Sequence, residues 1–148
     1  MSWKIKKFDE LTTTELYNIL KERAQVFVVE QNCVFQEVDG KDLDSYHLFR
    51  EDNGRVIAYV RIVPAGLSFD EWSIGRVIVH KDYRGNGLAY ELMNQAIEFL
   101  NSELKIKTIK IQAQEYLHKF YSSFGFQSFS EVYLEDDIPH IDMILQMK

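Results

Sequence analysis

A single cysteine, Cys33, stands among the 148 residues. An internal disulfide and a multi-thiolate metal site are therefore excluded. Only two prolines occur, Pro64 and Pro139, and seven glycines, too few for a linker or a low-complexity tract. No segment repeats. The four histidines, His47, His80, His118 and His140, lack the short paired spacing of a zinc protease or zinc finger, so no metal site is expected. No apolar run approaches the roughly 20 residues that cross a bilayer, so no membrane partner is expected. The basic start at Lys4, Lys6 and Lys7 turns acidic at Asp9-Glu10 with no apolar stretch after it. A secretory leader is not expected, and a cytoplasmic setting is. Basic residues are also scarce: 17 Lys and Arg face 23 Asp and Glu, a net charge of −6. A protein that grips a phosphate backbone needs a basic footprint, so nucleic acid is not an expected partner.

What is abundant is material for a core. Hydrophobic residues make up 46% and aromatics 14%, with ten Phe and eight Tyr. That mix fits one folded domain over residues 1–148. Trp3 to Phe8 alternates apolar and basic residues and predicts a strand. Thr12-Thr13-Thr14-Glu15 fits a capping box. Leu16, Ile19, Leu20, Arg23 and Phe27 follow at helical spacing to about Val28. Residues 30–45 form an acidic connection. Tyr46 to Arg50 and Val56 to Val63 predict a hairpin closed at Asp52-Asn53-Gly54. Trp72 to Val79 is a third long strand, apolar on both faces at its end, as a doubly covered strand would be. Gly85 to Leu100 is a helix, and Thr108 to Ala113 a strand expected parallel to the one at Val77. Leu117 to Phe124 is a helix stopped by Gly125. Phe126 to Tyr133 and Ile141 to Met147 close the chain as a hairpin. The fold class expected is α+β, an α/β/α sandwich with a mixed, mostly antiparallel sheet and one central parallel pair.

The loop after Val79 carries the clearest chemistry. His80-Lys81-Asp82-Tyr83-Arg84-Gly85-Asn86-Gly87-Leu88-Ala89 joins a strand to a helix. A helix N-terminus offers unpaired N–H groups and a positive dipole end to an anion. Gly85 and Gly87 let the backbone approach closely, and Arg84 adds a cation. A pyrophosphate cradle and a plain tight turn both fit these residues. A Walker A loop is excluded, because no Gly-Lys precedes a Ser or Thr. The dinucleotide fingerprint is excluded too, because Tyr90 stands where its third glycine belongs.

These residues resemble the GNAT acyl-CoA N-acyltransferases. Arg84-Gly85-Asn86-Gly87-Leu88-Ala89 is similar to that family's arginine–glycine–alanine phosphate loop at every fixed position. Gln112-Ala113-Gln114, Leu117 and Phe120-Tyr121-Ser122-Ser123-Phe124-Gly125-Phe126 are similar to its downstream element. The resemblance spans the chain in element order. Arg23 to Cys33 and Glu135 to Ile141 further resemble its ElaA-type branch.

The resemblance implies acetyl-CoA as cosubstrate, lying between two splayed parallel strands. Val77, Ile78 and Val79 on one strand, with Gln112 and Ala113 on the other, would flank it. Main-chain groups of Val77 and Val79 would pair with the pantetheine arm, and Leu117 and Phe120 would complete the site. Amides of Arg84, Gly85, Asn86, Gly87, Leu88 and Ala89 would hold the pyrophosphate. A main-chain N–H around Ile78 would meet the oxyanion. Tyr121 matches the general-acid tyrosine; its phenol, with an ordinary pKa near ~10, holds its proton at neutral pH. An aromatic packing role fits it too. The base that deprotonates the amine has three candidates, Glu30, Glu37 and His140. Each also has a plain structural role open to it: Glu30 as a partner of Arg23 or Arg76, Glu37 as a solvated charge, His140 as a backbone hydrogen-bonder. Cys33 is expected to be a small, partly buried residue, because direct transfer needs no acyl-enzyme.

The expected activity is N-acetyl transfer to a small-molecule or peptide amine through a ternary complex. A non-catalytic acyl-CoA sensor or protein-interaction module is the alternative. The carboxylates of 30–44 and 135–137 are expected to border the acceptor side, where they would favour a cationic acceptor. A solvated surface is the plainer reading of most of them. A second copy of the chain stands among the candidate partners.

Overall fold

The computed structural model describes residues 2–148. Eight strands form one sheet, and the first four pair as antiparallel neighbours. These are β1 (Lys4–Lys7), β2 (Tyr46–Asp52), β3 (Arg55–Val63) and β4 (Trp72–Val79). Asn53 and Gly54 both take positive φ, 51° and 74°, which gives the β2–β3 hairpin the primed turn that matches strand twist. β5 (Thr108–Gln114) follows β4 in the sheet, then β8 (Ile138–Gln146). β6 (Gln127–Ser128) and β7 (Tyr133–Glu135) both pair with β8. The expected strand over 126–133 is thus two short pieces with 129–132 outside the ladder. β8 begins earlier than expected because Asp136 and Asp137, at φ 52° and 63°, close a second primed hairpin between Glu135 and Ile138.

Helices cover both faces. α1 (Thr13–Ala24) starts on the expected capping box: the Glu15 N–H donates to Thr12 Oγ1 at 3.0 Å, and the Thr12 N–H donates to Glu15 Oε1 at 2.9 Å. Its Ile19 packs with Phe49, Val56, Tyr59 and Ile78 on one face. α2 (Leu88–Glu98) and α3 (His118–Ser122) lie on the other. Leu88, Leu92, Met93 and Ala96 pack there against Leu48, Val60, Ile109 and Ile111. Both long helices widen into a π-helical last turn, over Gln25–Glu30 and Phe99–Glu103. α2 begins at Leu88 rather than Gly85, because Gly85 and Gly87 are both left-handed, at φ 86° and 78°. Among the described residues no helix is long and apolar enough to cross a membrane.

One detail of the sheet positions everything that follows. β4 and β5 run parallel but pair only at their starts, Trp72 with Ile109 and Ser73 with Lys110. Beyond that they part. The cause lies in β4. Against β3 its register jumps, Tyr59 facing Ile78 but Arg61 facing Gly75, so β4 holds one extra residue. Arg76 in that bulge takes φ 54°. A bulge bends and twists its strand, and here it steers Val77–Val79 away from Ile111–Gln114. β5 keeps its full ladder with β8, seven pairs long, and does not follow.

Candidate active site

The gap between β4 and β5 opens into a cleft of about 830 Å³, the size of a small-molecule site. Val77, Ile78 and Val79 line one side, and Gln112 the other. Arg84 and Glu30, Tyr121 and Leu117, and His140 also reach it. Residues far apart in sequence thus converge where the sheet splits.

Backbone groups on the β4 side follow the ladder. The His80 N–H donates to the Ile57 carbonyl at 2.8 Å, and Ile78 faces Tyr59. Alternation along an antiparallel pair then turns the polar groups of Ile78 toward β3. Those of Val79, and of Val77 two residues earlier, point into the open cleft. The main-chain groups of Ile78 itself therefore do not face the cleft. The Val79 carbonyl is already taken, accepting from Arg84 Nε at 2.8 Å.

The loop from Arg84 to Ala89 stands beside this strand. Gly87 caps α2 without any side-chain acceptor, so the first-turn amides are unclaimed. A Cβ at Gly85 or Gly87 would meet nothing within 4 Å. The glycines answer a need for positive φ and leave open space. Arg84 Nη2 also donates to Glu30 Oε1 at 2.9 Å, so Glu30 pairs with Arg84 and not with Arg23 or Arg76. Ala113 is buried in the core. Phe120 stacks edge-on against Tyr90, Tyr121 and Phe124 with centroids 5.1–5.2 Å apart, holding α3 to α2. Neither side chain forms the cleft wall.

Tyr121 is 7% exposed. Burial first, then the nearby Tyr116 hydroxyl, pushes its phenol well above the ordinary tyrosine range, so it stays protonated and able to donate. His140 sits across the cleft on β8. Its Nδ1 lies 2.7 Å from the Ile138 carbonyl. A carbonyl only accepts, so Nδ1 carries a hydrogen, and in the neutral ring the lone pair falls to Nε2. Tyr133 stacks on the ring at 6.3 Å and 27°, and the Tyr133 hydroxyl is held by Asp142. Burial, then that carboxylate, lifts Tyr133 to about 12.

Glu37 has a different part. It is buried, and its Oε2 accepts from Arg23 Nε at 2.8 Å and Arg76 Nε at 2.7 Å. Arg23, wholly buried, also reaches Asp42 at 2.6 Å. Asp42 accepts from Arg61 at 3.0 Å, and Arg61 reaches Asp39 at 2.8 Å. Arg76 returns to Asp39 at 3.5 Å. The six residues close a ring of alternating charge. For Asp39, burial opposes ionisation, but the Arg61 hydrogen bond and charge overcome it and hold the carboxyl at about 2. His47 supports the ring from beneath, between the Tyr59 hydroxyl at 2.6 Å and the Asp42 carbonyl at 2.9 Å; burial lowers its pKa and keeps it neutral.

The acidic connection is thus largely neutralised, and only part of it is a solvated surface. Its one sequence signal was an arginine on the apolar stripe of α1. A guanidinium placed there must find buried anions. Cys33 is half-buried, with Sγ 3.7 Å from the Asp136 carbonyl. Burial, Asp136 and Asp137 all raise its pKa, the reverse of what a nucleophilic thiolate needs.

The acetyltransferase (GNAT) domain family matches residues 12–147. Escherichia coli ElaA is 40% identical over 97% of this chain and 95% of its own. A UPF0039 protein of Schizosaccharomyces pombe is 44% identical over 96% of this chain and 95% of its own. The solved structure of an acyl-CoA N-acyltransferase from Pseudomonas aeruginosa superimposes with a TM-score of 0.92 at 40% identity, over 97% of this chain and 98% of that one. More distantly, the acyl-homoserine lactone synthase LasI shares the fold alone, with a TM-score of 0.78 at 17% identity. The splayed sheet, the glycine loop and the sequence relationships agree: the chain is an acyltransferase and belongs to the GNAT family, in the branch that contains ElaA.

Proposed function

We propose that the protein transfers the acetyl group of acetyl-CoA to an amine, on a small molecule or a peptide, by direct attack in a ternary complex. The observation that carries this reading is the opening between β4 and β5, with Tyr121, His140 and Arg84 on its walls and, three residues beyond Arg84, the uncapped start of α2 at Gly87. The outward main-chain groups of Val77 and the Val79 N–H would pair with the pantetheine arm. Arg84 and the amides through Ala89 would hold the pyrophosphate despite the protein's net negative charge. A cytoplasmic setting goes with this reading.

An amine of the lysine type has a pKa near ~10.4, so a base must remove its proton. His140 Nε2 suits that task, because its tautomer is fixed by Ile138. Glu37 is unsuited, being buried between two guanidinium groups. Glu30 is free to act only if Arg84 leaves it for phosphate. The amine nitrogen forms its bond to the thioester carbonyl carbon, and an outward N–H of β4 receives the oxyanion. The carbon–sulfur bond then breaks as the Tyr121 hydroxyl gives its proton to sulfur. The products are an N-acetyl amine and free coenzyme A. The nitrogen's second surplus proton passes to the Tyr121 phenolate and His140 releases the first to solvent, which resets the site.

Thiol release from acetyl-CoA across amino acids, peptides, polyamines and aminoglycosides tests the reading. Acceptor-dependent release supports it. Micromolar coenzyme A binding without release on any acceptor would point instead to an acyl-CoA sensor.

A further inference from the structure

The two long walls of the cleft carry opposite charge. On the wall built by the 35–41 segment, β3 and β4, the charged side chains that reach the cleft are Asp39, Lys41, Arg61 and Arg76. Asp39 is the one carboxylate of the four. Arg61 binds both its oxygens, at 2.8 and 3.0 Å. Glu37 and Asp42, the other acids of the ring, lie buried behind this wall, each hydrogen-bonded by two arginines. An acidic stretch of sequence therefore shows the cleft a cationic face. Arg76 uses Nε on Glu37 and Nη2 on Asp39, and its Nη1 has no partner among the described residues. Lys41 enters none of the ion pairs among the described residues. The facing wall is the β7–β8 hairpin, which brings Glu135, Asp136 and His140 to the cleft. No ion pair among the described residues neutralises Glu135 or Asp136.

A polyamine would gain from the hairpin but be repelled by Arg76 and Lys41. A plain amine would leave those two unused. A molecule bearing both an ammonium and a carboxylate satisfies both walls. We propose that the acceptor is an amino carboxylate, a free amino acid or a close analogue, with its carboxylate on Arg76 and Lys41 and its amine toward His140.

Arg76 is built for this. Its φ of 54° is rare for a residue with a side chain and persists only where surroundings dictate it. Here the surroundings are Glu37 at 2.7 Å and the rings of Phe27 and Phe35, 5.8 and 5.9 Å from the guanidinium carbon. The guanidinium is thus oriented in advance, and a planar fork suits a carboxylate. Phe27, Phe35 and Phe69 also line the cleft, which favours an apolar or aromatic side chain on the amino acid.

This inference takes from the acetyl-transfer reading the idea that an amine is the acceptor, but carboxylate recognition can be measured apart from turnover. The experiment is calorimetric titration of the protein saturated with coenzyme A, using leucine and phenylalanine, their amides and their decarboxylated amines. Each acid is expected to bind at least about tenfold more tightly than its amide or amine, the scale of one charge-assisted contact. Arg76→Gln and Lys41→Met are each expected to weaken the acids about tenfold and to leave the amides and amines unchanged or somewhat tighter. Lys41→Met disturbs no ion pair, so it serves if Arg76→Gln fails to fold. Equal affinity within each set, or no binding by any member, overturns the inference. A preferred acid that is never acetylated upholds it and removes the acetyl-transfer reading. Amines acetylated with no preference for the acid do the opposite.

Discussion

Tyr121 and His140 face one cleft. One is a buried phenol that keeps its proton, the other an imidazole whose Nδ1 is tied to the Ile138 carbonyl, which leaves Nε2 the basic nitrogen of the neutral ring. Tyr121→Phe keeps the ring that packs against Phe120 and Phe126 and removes only the hydroxyl. It is expected to lower kcat about a hundredfold, the usual weight of a positioned acid, and to leave coenzyme A affinity unchanged. Steady-state kinetics with a coenzyme A titration checks both halves. His140→Gln retains polarity without basicity. Its kcat/KM is expected to fall about a hundredfold at pH 7 and to recover as pH rises and the free amine itself becomes abundant. A pH–rate profile that matches the parent's would remove His140 as base. At this scale the sequence was uneven in what it revealed. Arg84 and Tyr121 were legible because fixed neighbours mark them. Arg61, Asp39 and Asp42 were not, because a charge in a loop looks the same whether it is solvated or locked in a ring. Which of Val77, Ile78 and Val79 turns its amide to the cleft was not legible, because the direction a strand amide faces depends on its ladder partners.

The bulge in β4 and the glycine turn before α2 are the two elements that make the site. The bulge opens the sheet, and the turn frees the amides at its edge. Gly87→Ala tests the turn. At φ 78° an alanine is strained, at a cost of roughly 1–2 kcal/mol, although no atom lies within 4 Å of the added methyl. The expected outcome is a small drop in Tm with coenzyme A affinity weakened about tenfold, read by thermal scanning and titration. Unchanged affinity would take the loop out of phosphate binding. Helices and long strands were readable from periodicity and caps, as Thr12 and Glu15 show. The short strands β6 and β7 were not, since Asp136-Asp137 lacks the glycine that advertises a primed turn. The bulge was also hidden. Arg76 is an ordinary residue in an ordinary strand pattern, and only pairing with β3 reveals the extra one.

For the molecule as a whole, charge is arranged in rings and pairs that tie segments together. Lys4 and Lys6 of β1 both bind Glu15 of α1, at 3.0 and 2.9 Å. Burial would raise the Glu15 pKa, but the Thr12 amide and these lysines pull it down to about 2. Asp39, in the ring, is also held at about 2. Carboxylates in an unfolded chain titrate near ~4. A depressed folded pKa gives stability that is complete above the unfolded value and lost as pH falls through the folded one. Urea midpoints are therefore expected to hold steady from neutral pH down to about 5 and to fall steeply between about 4 and 2. Asp39→Asn should flatten that fall. The net charge of −6 thus says little about the cleft, whose walls differ in sign. Transfer of an acetyl group onto an amine in this cleft is the proposed chemistry. Acetyl-CoA labelled with carbon-13 at the carbonyl, incubated with the protein and a set of amino acids and amines, puts it to a direct mass-spectrometric test. Label is expected in an N-acetyl amide, with none on the protein. Label that stays in acetyl-CoA with every acceptor, while coenzyme A binds, would contradict it.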